Sequence, residues 1–131
     1  MAPKNKFTRE EMVAAAVRVV QKMGAAALTA KSLAEELGTS TQPVFTCFGT
    51  MDTAKAEVYD AAERVFDEYL TEGLKQEIPF FGIGTQYIRF ARKEPELYRL
   101  LFLMRQEDMG NGAFSAMRHM RELVRPSLMD T

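Results

Sequence analysis

Residues 28–48, LTAKSLAEELGTSTQPVFTCF, constrain this chain more than any other stretch. Leu33 and Leu37 recur at i, i+4 with Ala34 beside them, which is the spacing of one helical face. Thr29 stands where a helix N-cap is needed, and Leu28 and Leu33 hold the two positions of a hydrophobic staple. Gly38 follows the last periodic residue, where a left-handed C′ conformation is needed and glycine adopts it without a Cβ penalty. Ser40 is placed to cap a second helix, with Pro43 in its first turn, where no backbone N–H partner is lost. Val44 and Phe48 recur at i, i+4 and turn inward, leaving Thr41, Gln42, Pro43 and Thr46 outward. The spacing therefore predicts two short helices crossing closely at the small Ala34. Such a pair is a helix-turn-helix, whose usual work is to lay its second helix in the major groove of DNA. An ordinary helical hairpin inside a bundle shares the geometry, so the rest of the chain has to weigh in.

The chain has 131 residues, enough for one compact domain or two small helical subdomains sharing a core, and its 47% hydrophobic content can bury one. The net charge of −1 carries no overall basic signature, but the distribution is uneven. Residues 1–50 hold six basic and four acidic side chains, and residues 51–131 hold eleven and fourteen. A mildly basic head on an acidic body suits a phosphate-contacting module joined to something else. Cys47 is the single cysteine, which excludes an intrachain disulfide and points to a reducing compartment. The opening MAPKNKF has no apolar segment of a signal peptide, and no apolar run approaches the roughly 20 residues of a membrane span. The expectation is a soluble, cytoplasmic protein with no membrane partner.

Helical periodicity extends along nearly the whole chain, and no strand pair is convincing. A first helix opens with a Thr8–Glu11 capping box and a Phe7–Met12 staple. Its inward stripe is Met12, Val13, Ala16, Val19, Val20 and Met23, and Gly24 ends it. Thr50 is placed to cap a long fourth helix running to about Glu72, with Asp52 in the first turn and a wide face of Ala54, Val58, Ala61, Ala62, Val65, Phe66, Tyr69 and Leu70. Residues 73–79 read as a linker, and Pro79 opens a fifth helix carrying Ile83, Tyr87, Ile88, Phe90 and Ala91. Glu94-Pro95 breaks the chain before a sixth helix with Leu97, Tyr98, Leu100, Leu101, Phe102 and Met104. Residues 106–112 read as a loop, followed by a seventh helix with Phe114, Met117, Met120, Leu123 and Val124. The fold class is all-α. A three-helix head over residues 1–51 is joined by the long fourth helix to a helical body over residues 52–131.

These residues together resemble the TetR family of bacterial transcriptional regulators. The likeness runs through TREEMVAAAVRVVQKMG, LTAKSLAEELGTSTQPVFTCF and GTMDTAKAEVY, and IGTQYIRFARKEPELYRLLFLM is similar to the start of many ligand-binding domains of the family. The resemblance implies a homodimer, a palindromic operator in double-stranded DNA, and a small hydrophobic effector whose binding in the body changes the spacing of the heads. Carried onto this sequence, Thr41, Gln42, Pro43 and Thr46 stand where family members contact base edges. Thr29, Ser40, Phe45 and Cys47 stand at positions that often face phosphates. Family members commonly have Tyr where Phe45 stands, His where Cys47 stands and Lys where Met51 stands. Each change removes a phosphate donor and so weakens the salt-dependent part of the affinity. Met-Asp at the fourth helix also occurs in a subset of the family. The family usually continues through two further helices that build the dimer interface, so the body is expected to be partial at its C-terminus and the homodimer to belong to the full-length form.

An effector pocket would draw on Phe66, Tyr87, Phe90, Tyr98, Leu101, Phe102 and Met117, with Phe80, Phe81, Met104, Met109 and Phe114 near them in the pattern. Aromatics and thioethers suit hydrophobic ligands, although the same residues serve equally as plain core. Arg89 and Arg92 read as solvated surface. No enzyme is indicated. His119 is the only histidine, so a histidine-built metal site lacks its members; no Ser/His/Asp set stands at suggestive spacing, and Gly82-Ile83-Gly84 lacks the preceding strand of a dinucleotide site. No cofactor follows. The alternative is an all-helical sensing or protein-interaction module that no longer reads DNA.

Overall fold

Thr8 and Glu11 start the first helix as their spacing requires. The amide of Glu11 donates to Thr8 Oγ1 at 3.0 Å and the amide of Thr8 donates to Glu11 Oε1 at 2.8 Å, satisfying two of the orphan donors that every helix start presents. This helix, α1 (Arg9–Met23), buries Met12, Ala15, Ala16, Val19 and Val20. Met23, expected inward, is 57% exposed. It lies in the last turn, beyond the final buried residue of the stripe, and Gly24 at φ 92° redirects the chain at once. The computed structural model describes residues 7–103 and Glu122, and all regular structure among them is helical, so the chain is all-α. The expected loop at 106–112 and the seventh helix, with Met104, Met109, Phe114, Met117 and His119, lie outside the described residues.

A 3-10 turn (Ala25–Ala27) leads into α2 (Ala30–Leu37). Thr29 caps α2 reciprocally with Ser32: Ser32 N donates to Thr29 Oγ1 at 3.0 Å, and Thr29 N to Ser32 Oγ at 2.9 Å. Leu28, Leu33 and Ala34 are buried, in line with the staple and with a close crossing at the alanine. Gly38 closes the helix at φ 73°, ψ 35°. Its amide reaches Glu35 O and the amide of Thr39 reaches Ala34 O, a Schellman-type closure that satisfies carbonyls the helix leaves open.

The helix that follows, α3 (Gln42–Phe48), buries Val44 and Phe48. The expected Ser40 cap does not form. The N-cap residue is Thr41, with helical dihedrals and no side-chain cap bond. Pro43, three residues beyond Ser40, supplies no N–H, which removes one of the two amides that a Ser40 cap could accept from.

Thr50 caps α4 (Met51–Leu74) by accepting from Thr53 N at 3.4 Å. Its 24 residues span roughly 36 Å at 1.5 Å per residue. Ala54, Val58, Ala62, Phe66 and Leu70 are fully covered, whereas Ala61, Val65 and Tyr69 are only partly so. Tyr59, absent from the expected face, is buried, and among the described residues its hydroxyl has no hydrogen-bond partner. The linker is shorter than expected. Helix α4 continues through Gly73 and Leu74, leaving a turn at 75–78 before α5 (Pro79–Lys93). The reason is a glycine pair: a Cβ on Gly73 would collide with the backbone of Gly82, and one on Gly82 with the carbonyl of Gly73. Two bare Cα atoms let α4 and α5 meet backbone to backbone, and Gly73 is held in the helix by that contact. After Glu94, α6 (Pro95–Phe102) turns Leu97, Leu100 and Leu101 inward.

The buried side chains of all six helices form one continuous core from Met12 to Leu101. Helix α1 reaches the distal part directly, through a Gln21–Glu94 hydrogen bond of 3.1 Å. Arg18 and Lys22 on α1 bond the Glu36 carboxylate of α2 at 2.8 and 2.9 Å. Among the described residues, no helix is long and apolar enough to cross a membrane.

Candidate functional site

Helix α3 sits on the surface of the first three helices with a sharp inside and outside. Val44 and Phe48 anchor it, and Thr41, Gln42 and Thr46 are exposed while Pro43 is half-buried. The side-chain amide of Gln42 lies 3.5 Å from Thr46 Oγ1, one turn on, so the two polar groups are side by side. Phe45 is 46% exposed. It is therefore a surface aromatic on the same short helix as Gln42 and Thr46. Hydrogen-bonding groups and an apolar ring on one exposed helix are suited to the edge of a mixed polar surface, such as bases with their methyl groups.

The C-terminal end of α3 is tied down by an arginine at the start of α1. Arg9, in the first turn of α1, donates from Nη1 to the carbonyl of Cys47 at 2.9 Å. It also donates from Nε to Glu57 Oε1 at 3.1 Å, with a second contact from Nη2 to Glu57 Oε2. Its guanidinium lies 5.3 Å from the centroid of the Phe48 ring. The planar fork of donors of an arginine serves a carbonyl, a carboxylate and a ring at once. Arg9 thus fastens α1, α3 and α4 together at the last turn of α3, and Glu57 keeps the guanidinium firmly protonated. The signal in the sequence was weak, because Glu57 and Cys47 are distant from Arg9 along the chain.

The phosphate-facing positions differ among themselves. Ser40 is exposed in the turn. Thr29 is exposed, but its hydroxyl is engaged with Ser32 in the α2 cap. Cys47 is half-buried, and burial pushes its thiol up from the ordinary value, with the Arg9 charge pulling down and Glu57 adding to the rise. A thiol held protonated is a poor nucleophile. Met51 packs against the core. Lys31 on α2 is exposed. Lys4 and Lys6 lie outside the described residues.

The candidate pocket residues of the body come together, but on one another. Phe66 meets Phe90, Phe102 and Tyr87 at centroid distances of 5.0, 5.3 and 6.1 Å. Tyr98 and Phe102 stand 5.1 Å apart, and the hydroxyls of Tyr87 and Tyr98 lie 3.2 Å from each other. Burial first, and then that hydrogen bond, push the Tyr87 phenol up to about 12. Leu101 is buried beside them, and Met117 lies outside the described residues. The rings fill the space between α4, α5 and α6, so in this conformation the cluster is core. A groove of about 770 Å³ lies elsewhere, between α1 and α4, floored by Val13, Ala14, Val17, Ala61 and Val65, and none of the pocket candidates lines it. Phe80 and Phe81 face solvent. Among the described residues, no group of three His, Cys, Asp or Glu side chains is placed to hold a metal ion. Compared with known proteins, the chain matches no family model and no curated protein.

Proposed function

We propose that this chain is a sequence-specific, DNA-binding transcriptional regulator, acting as a ligand-responsive repressor of the TetR type in the cytoplasm. In this reading α2 and α3 are a helix-turn-helix, and α3 enters the major groove. The observation that carries it is the two-sidedness of α3. A helix this short is held by Val44, Phe48 and the Arg9 clamp while presenting Thr41, Gln42 and Thr46 outward. Gln42 offers the paired donor and acceptor that match adenine, and the threonines offer hydroxyl and methyl contacts. The body would hold a small hydrophobic effector by parting the Phe66–Tyr87–Phe102 cluster, and two copies would bind a palindromic operator. Selection from a pool of random duplexes tests the reading. An enriched palindrome supports a dimeric regulator, an enriched half-site supports the head alone, and no enrichment at low salt discards the reading.

A second reading is an all-helical interaction module that has lost DNA binding. It is favoured by Phe45, an exposed aromatic where the resemblance expects a tyrosine hydroxyl, and by Arg9, whose charge is paired with Glu57 at the surface. Retention of a protein partner on the α3 face, lost on Phe45→Ala and indifferent to duplex DNA, would establish it.

A further inference from the structure

We propose that the groove between α1 and α4 is a binding site for an amphipathic carboxylate, its headgroup held between Arg18 and Arg64 and its alkyl chain laid along the apolar floor. The inference goes beyond the DNA reading and does not depend on it, and the site is separate from the aromatic cluster of the body. The groove encloses about 770 Å³, within the range of small-molecule sites. On its floor Val13 and Val17 of α1 and Val65 of α4 are only half-buried, and Ala14 is exposed. The two helices hold these side chains in a concavity, so an alkyl chain lying there is covered from both sides and removes apolar surface of its own and of the protein from water.

The charges around the floor decide the class of ligand. Arg9 of α1 pairs with Glu57 of α4 at one end. Both helices run away from that pair, so Arg18 and Arg64 stand at the other end, about 11–14 Å along at 1.5 Å per residue. The near end is neutralised by its own ion pair, but the far end has cationic donors to spare. Arg18 uses Nε on Glu36 at 2.8 Å, and its two Nη groups have no partner among the described residues. Lys22 shares the same Glu36, so one carboxylate there faces two cations. Arg64 is exposed and makes no ion pair among the described residues, and Asp60, one turn before it, does not reach it. Two guanidinium groups with free N–H donors suit a carboxylate, whose two oxygens take such donors in pairs. Glu10 at the near end and Asp60 midway repel a carboxylate from those positions, and no acid lines the groove beyond Asp60. The orientation follows: headgroup at Arg18 and Arg64, chain toward Arg9.

Titration of the isotope-labelled full chain with sodium decanoate, followed by nuclear magnetic resonance, tests the site. Saturable shifts are expected at Val13, Ala14, Val17 and Ala61, and not at Tyr87 or Phe102. Arg64→Gln, at an exposed position, should weaken decanoate about tenfold and leave binding of the neutral decanol unchanged. Ala14→Phe, exposed on the floor, should abolish binding of both with helical circular dichroism unchanged. Decyltrimethylammonium, with the same chain and the opposite charge, should bind about tenfold more weakly than decanoate, and this comparison needs no variant. Absence of saturable shifts overturns the proposal. Shifts centred on Tyr87 and Phe102 overturn it as well and favour an effector held in the body. Equal binding of the ammonium and the carboxylate overturns the assignment of the headgroup to Arg18 and Arg64. A chain that binds decanoate in the groove and selects no duplex would discard the regulator reading and leave this site standing.

Discussion

At the scale of single residues, the head is organised by two side chains with opposite duties. Gln42 points out and is expected to read sequence, whereas Arg9, bound across the surface to α3 and α4, is expected to hold α3 still. Gln42→Ala should relax specificity at one base pair by about 1–3 kcal/mol, leaving other positions unchanged. Binding to a duplex library in which each position is varied checks this, and an unchanged preference would remove Gln42 from the interface. Arg9→Met should lower duplex affinity much more than it lowers thermal stability. The clamp is largely at the surface, yet it fixes the carbonyl of Cys47 at the end of α3. Arg9→Lys should not rescue, since an ammonium lacks the planar fork that pairs both Glu57 oxygens side by side while reaching the Cys47 carbonyl. Gln42 was legible in the sequence, because its position follows from Val44 and Phe48 by helical spacing. Arg9 was legible only as a basic residue near the N-terminus, since its partners Glu57 and Cys47 are chosen by the fold.

At the scale of elements, the contacts between helices depend on a few junctions. Gly73 and Gly82 hold α4 and α5 at backbone contact. Gly82→Ala should therefore destabilise the chain by about 1–3 kcal/mol, because the obstacle is a carbonyl of the facing helix and cannot rotate away. Denaturant unfolding measures this, and Gly84→Ala, with open space around it, is the control expected to be tolerated. Between α1 and α2, Arg18 first and Lys22 second hold the Glu36 carboxyl below its ordinary value of about 4.5. Its folded pKa is depressed, so this stabilisation is present above that value and is lost as the pH falls through the folded pKa. Glu36→Gln should flatten the acid limb of the stability curve, and high salt should flatten it in the wild type as well. The helix starts at Thr8, Thr29 and Thr50 could be read from sequence, because capping is local. The expected cap at Ser40 and linker at 73–79 were overturned by Pro43 and by Gly82. The first is a local effect, but the second is a contact between distant segments.

At the scale of the whole molecule, the regulator reading makes its firmest prediction about salt. A head whose Arg9 is internally paired and whose Phe45, Cys47 and Met51 offer no charged donor should contact few phosphates. The slope of log affinity against log salt, about −0.9 per phosphate contacted, should therefore be shallow, and titrations across salt concentrations measure it. A steep slope would mean that cations outside the described residues, Lys4 and Lys6 among them, take over the backbone contacts. The all-α class and the order of the first six helices follow from the sequence by itself, because 3.6-residue periodicity, caps and helix-ending glycines act within a few residues. Only the tertiary structure decided that α4 and α5 share a glycine contact, that Phe66, Tyr87 and Phe102 fill one another's space, and that Ile88 faces outward. Each of these depends on which distant surfaces meet, and periodicity identifies an apolar face without saying what will cover it.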